Sequence, residues 1–129
     1  MESQQGTPYY TVKLDEARGF VRITRTGAVY PSLVEMERDT QLLEQIVRRF
    51  GVRRGLIDFR QGPPARNDEA FERATEKGRR LLRDGFERFA VLVRSAVGKL
   101  QVNRLSREDG AVPHVFLDEA EAIRYLEGP

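Results

Sequence analysis

The sequence predicts an α/β fold: a mixed five-stranded sheet flanked by four helices, in the order ββαβαβαβα. Three observations carry that prediction. Short apolar runs alternate with stretches of helical apolar period, as parallel strands joined by crossover helices require. Two period-two segments near the start form an antiparallel hairpin that adds an edge to the parallel strands. The 129 residues are 40% hydrophobic and 33% charged, which suits one globular domain with a real core.

Taken in order, residues 1–8 read as a flexible leader ending at Pro8, and residues 9–129 as the single domain. Tyr10, Val12 and Leu14 alternate with Tyr9, Thr11 and Lys13, so one face of the first strand is buried. Asp15 to Gly19 is a turn, and Phe20 to Thr26 is the return strand, apolar at Val21 and Ile23. Ser32 and Glu35 match a capping box, opening a helix to about Phe50 with Leu33, Met36, Leu43, Val47 and Phe50 inward and Leu42 and Ile46 widening that face. Gly55-Leu56-Ile57-Asp58-Phe59 is a strand covered on both faces.

After a loop at Gln61 to Arg66, Asn67 or Asp68 caps a second helix to about Asp84, whose Ala74 and Gly78 suggest close approach to the sheet. Phe89 to Val93 is the most apolar strand. Ser95 caps a third helix to about Arg107, with Val97, Leu100 and Leu105 inward. Val112 to Leu117 is the last strand, and Asp118 with Glu121 opens a final helix with Ala122, Ile123 and Leu126 inward.

Composition excludes several chemistries. The chain has no Cys, so disulfides and thiolate sites are ruled out. No apolar run approaches the roughly 20 residues of a membrane helix, and the polar start lacks the layout of a signal peptide. Basic and acidic residues number 22 and 20, so the pI near 9.2 reflects a small surplus. The pairs Arg48-Arg49, Arg53-Arg54 and Arg79-Arg80 are interspersed with acids, which reads as a solvated face and not a nucleic-acid patch. Phosphate-cradling, dinucleotide-binding and nucleophile-elbow motifs are missing.

The candidate groups are therefore few. His114 is the only histidine and has no neighbouring nucleophile, so it reads as structural or merely exposed. Asp68 and Glu69 read as helix N-terminal carboxylates favoured by the dipole. Asp58 stands apart. An unpaired carboxylate in an apolar strand is costly, so it either points to the end of the sheet, accepts backbone donors, or binds something.

The opening hairpin, the run Gly55 to Phe59 with its following loop and helix, and the strand-to-helix ending from Val115 to Leu126 are similar to the STAS-like superfamily. That group is named for sulfate transporters and anti-sigma-factor antagonists, and the likeness to its stand-alone bacterial members spans about residues 9–127. The resemblance implies a protein-binding module. In the antagonist branch, a Ser or Thr at the start of the helix after the third strand is phosphorylated. The matching stretch here, Pro63 to Glu69, has none, and its double Pro departs from the usual loop. Asp68 imitates that charge permanently or simply caps the helix, and Thr75 lies two turns further on.

The expectation is a non-enzymatic interaction or regulatory module of the cytoplasm, with no cofactor and no metal. Its partner is a protein, not nucleic acid or a membrane, and homodimer formation stays open. The expected docking residues are Asp58, Gln61, Arg66, Asn67, Asp68 and Phe71, on a loop held by a rigid strand. The alternative is a small apolar ligand or lipid held between sheet and helices near Phe71 and Ala74. A third reading is an enzyme using Asp58 or His114, which a deep cleft bringing the two within hydrogen-bond reach would favour.

Overall fold

A computed structural model describes residues 4–64, 66 and 68–128. The elements are β1 (Gln4–Gly6), β2 (Tyr10–Asp15), β3 (Phe20–Arg25), α1 (Leu33–Arg49), β4 (Arg54–Asp58), α2 (Glu69–Asp84), β5 (Arg88–Leu92), α3 (Ala96–Glu108), β6 (Val115–Phe116) and α4 (Glu119–Glu127). The sheet runs in sequence order from β1 to β6. β1 to β3 are antiparallel, and β3 to β6 are parallel. The α/β class and the hairpin-then-parallel order match the expectation.

The strand number does not. The sheet has six strands, and the additional one lies in the segment read as a leader. β1 carries no apolar alternation, so pattern reading had nothing to find. Backbone pairing to β2 makes it, with Gln5 opposite Val12 and Gly6 opposite Thr11. Glycine is needed at position 6, because a Cβ there would come within 2.5 Å of the Tyr10 carbonyl oxygen.

Period-two alternation sends successive residues of the sheet into two cores. On one side Val12, Val21, Ile23 and Ile57 pack with Leu43, Ile46 and Val47 of α1 and Leu82 of α2. On the other, Phe20, Leu56, Ala90 and Leu92 pack with Ala122, Ile123 and Leu126 of α4. Each of the Val, Leu, Ile and Phe side chains among them contributes roughly 1.5–3 kcal/mol by leaving water. Leu42 does not join the first core; it is 45% exposed, one residue off the stripe of Met36, Leu43, Ile46 and Val47.

The close approach expected of Gly78 is made to α1 and not to the sheet. A methyl at Gly78 would lie 1.8 Å from Thr40 Cγ2, so the two helices touch where the side chain is missing. All four expected caps form. Ser32, Asp68, Ser95 and Asp118 accept from the amides of Glu35, Phe71, Gly98 and Ala120 at 2.8–3.1 Å. Gly19 turns the hairpin at φ 73°.

Two expectations near the C-terminal half are corrected. α3 buries none of its residues, and Val97 and Leu100, expected inward, are 76% and 69% exposed. The last strand is Val115–Phe116, not residues 112–117, and Val112 is exposed. Pro113 has no amide to donate, so pairing begins only where Val91 N donates to the His114 carbonyl at 2.9 Å. No helix among the described residues is long and apolar enough to cross a membrane.

Candidate functional site

Parallel strands end on one edge, and in open α/β sheets that edge is where recognition surfaces form. Here β4, β5 and β6 finish in register, Asp58 beside Leu92 and Leu92 beside Phe116. Each then turns into a helix capped by Asp68, Ser95 or Asp118. The segments between strand end and cap form a rim.

Asp58 is the last residue of β4 and alternates onto the α4 side of the sheet, where it is 5% exposed. Arg60 folds back over it as a fork. Arg60 Nε and Nη2 donate to Asp58 Oδ1 and Oδ2 at 3.0 and 2.9 Å, and the Arg60 amide donates to Oδ1 at 3.0 Å. Arg60 Nη2 also donates to Glu119 Oε1 at 2.8 Å, which Arg22 reaches at 3.2 Å. The carboxylate thus ties β3, β4 and the first residue of α4 into one ion network. Burial pushes the Asp58 carboxyl up, but the Arg60 hydrogen bonds and charge, with Arg22, outweigh it and hold the group below the usual Asp range. Both oxygens are occupied inside the fold, so Asp58 supports the rim and offers no docking group of its own.

The loop beyond it faces outward. Gln61 is exposed, and buried Gly62 packs so closely that a Cβ would lie 2.8 Å from Arg25 Cγ. Arg66 Nε donates to Asp68 Oδ2 at 2.9 Å, and its guanidinium lies 4.9 Å from the Phe71 ring centroid. The other oxygen of Asp68 caps α2 by accepting from the Phe71 amide at 2.8 Å. Gln101 of α3 donates to the Arg66 carbonyl at 2.6 Å, and Arg94 donates to the Arg60 carbonyl at 3.0 Å. Arg66, Asp68 and half-buried Phe71 therefore share one surface, continuous with α3, while exposed Gln61 starts the same loop beside Gly27, its carbonyl oxygen 3.8 Å from the Cβ position there. Asn67, also expected there, lies outside the described residues. Thr75 sits within α2, its hydroxyl donating to the Phe71 carbonyl at 3.0 Å.

The sequence reading missed a second network. Arg25 is 7% exposed and donates to the carbonyls of Tyr9, Thr26 and Ala28 at 3.4, 2.9 and 2.7 Å. Its guanidinium lies within 6 Å of the Tyr9, Tyr10 and Tyr30 rings. Tyr30 donates its hydroxyl to buried Asp39 at 2.8 Å. Burial pushes the Tyr10 phenol up to about 12 and raises Tyr30 as well, so both rings stay neutral. The signal was in the register. Arg25 falls on the same face as Val21 and Ile23, an inward position for a cation. Through Gly62 this cage also supports the rim loop.

His114 stacks on Tyr125 with centroids 4.3 Å apart. Burial, then the Arg88 charge, holds its imidazole below the usual His range. Arg60, which holds Asp58, reaches α4 at Glu119, and His114 meets it at Tyr125, six residues along the helix and about 9 Å of axis. Asp58 and His114 do not converge, as an acid–base pair would have to. Space beside Ala74 and Gly78 amounts to about 10 Å³, too little for an organic ligand. A cleft of about 140 Å³ lies at the opposite end of the molecule, between the C-terminal ends of α1 and α2, lined by Val47, Leu81, Leu82 and Phe86 with Glu44 and Arg48. No group of three metal-ligating side chains occurs among the described residues. No family model, curated protein or solved structure matches the chain.

Proposed function

We propose that this chain is a non-enzymatic, cytoplasmic interaction module that binds a protein partner through the rim at Gln61, Arg66, Asp68 and Phe71. The likeness to STAS-like antagonists is part of that reading, with a permanent charge at Asp68 in place of a phosphorylated hydroxyl. One observation carries it. Arg66 is paired with Asp68 and lies over the Phe71 ring, so these three outward groups present one preset polar and aromatic cluster for docking. The groups able to do chemistry, Asp58 and His114, are meanwhile engaged inside the fold.

The test is the double variant Arg66→Glu with Asp68→Asn. Asn caps helices as well as Asp, so the fold persists while the surface charge changes. Capture of the partner from the native host, measured by quantitative mass spectrometry, is expected to fall at least tenfold with an unchanged circular dichroism spectrum. Equal capture by the variant overturns the reading, as does turnover of a metabolite by the purified protein. Phosphate found on residues 61–75 of host-derived protein removes the permanent-charge element.

A further inference from the structure

Among the described residues, α3 is the one helix that presents an apolar stripe to solvent. Its exposed positions Val97, Leu100, Arg104 and Arg107 follow the three-and-four spacing of a single helix face, apolar in the first half and basic in the second. α3, residues 96–108, holds three basic side chains against one acidic, leaving nineteen against nineteen in the rest of the chain. The whole positive surplus of the protein therefore sits on this one element. α1, α2 and α4 each carry an acid in the first turn, and α3 carries none. Arg104 is engaged with Glu72 and Glu108, whereas Lys99 and Arg107 have no carboxylate partner among the described residues.

We propose that this stripe docks an acidic amphipathic segment of the protein partner. Apolar side chains of that segment cover Val97 and Leu100, and its carboxylates meet Arg107 on the same face, with half-buried Lys99 flanking the stripe one position before Leu100. The inference rests on the interaction-module reading and extends its surface, because Gln101 and Arg104 join α3 to the rim at Arg66 and Glu72. Charge decides among the occupants. A second copy would bring like charges together across a two-fold axis, and two aliphatic side chains fall far short of the roughly 800 Å² per partner that a stable dimer buries. A lipid surface would match the charge, but the stripe has no aromatic anchor and too little apolar surface to insert.

The experiment places a photoreactive benzoylphenylalanine at position 100 of the full chain in host cells and sequences the cross-linked peptides. An acidic peptide with apolar residues at three-and-four spacing is expected, with yield falling at least fivefold in the background of Lys99→Glu with Arg107→Glu. Yield no higher than from the same probe at Lys13 overturns the proposal. So does a cross-link to this chain itself, or sedimentation with phosphatidylglycerol vesicles that Leu100→Ser abolishes. The Arg66→Glu, Asp68→Asn variant separates the two readings. Cross-linking at position 100 with undiminished capture by that variant leaves α3 standing and removes the rim. Lost capture with no α3 cross-link does the reverse.

Discussion

α3 and α4 both follow a parallel strand, and they are held in opposite ways. α4 has nine residues and buries Ala122, Ile123 and Leu126 against the sheet. α3 has thirteen and buries none. Its seat is ionic. Asp109, at the C-terminal end of α3, receives Arg79 Nε and Nη2 at 3.0 and 3.1 Å, with Arg83 at 3.5 Å, and Arg104 reaches Glu72 at 2.9 Å. Non-directional burial fixes α4 through area, whereas α3 depends on a few directed contacts that water and salt compete for. A helix held in this way keeps its apolar face available for something else.

The largest effect expected from this contrast is on the apolar side. Leu126→Ala should cost about 2–5 kcal/mol in urea unfolding, while Leu100→Ala should stay within about 0.5 kcal/mol. Equal costs would break the comparison. Next is Asp58→Ala, which removes the link from β4 to the start of α4. It should cost about 1–3 kcal/mol, moderated because Arg60 is 38% exposed and regains water.

Smaller again is Asp109→Asn, at about 1 kcal/mol. Its diagnostic is local: amide hydrogen exchange should speed up in α3 and stay unchanged in α4. Acid should act similarly. Burial raises the Asp109 carboxyl, but Arg79 and Arg83 hold it below its ordinary 3.8. The stabilisation is present above that pH and is lost as pH falls through the lowered value, so the protection factors of α3 amides, corrected for intrinsic exchange, should be smaller near pH 3 than at pH 6, while those of α4 hold. The smallest effect belongs to His114. Its lowered value means that the unfolded chain binds more protons just below pH 6.5, so stability should rise with pH across that window and level off above it. His114→Phe should flatten the slope.

Much of this was legible in the residues. The caps at Ser32, Asp68, Ser95 and Asp118 are short-range hydrogen-bond patterns, and each forms where it was expected. The two-sided burial of β4 followed from its uninterrupted apolar run. The oddity of Asp58 was visible as well: the backbone donor expected for it is the local Arg60 amide, whereas the approach of Arg22 from β3 follows from no local pattern. Arg25 was overlooked because an Arg in a strand reads as exposed until register is taken literally.

By itself the sequence determined the α/β class, the element order after the hairpin and the outward loop of Arg66 and Asp68, since these rest on periodicity and local bonding. Tertiary structure decided what pairs across distance. It turned Gln4–Gly6 into a sixth strand, set Gly78 against Thr40 and left the apolar stripe of α3 in water. Periodicity names the face of a helix that could be buried; whether a neighbour covers it depends on contacts that no local pattern encodes.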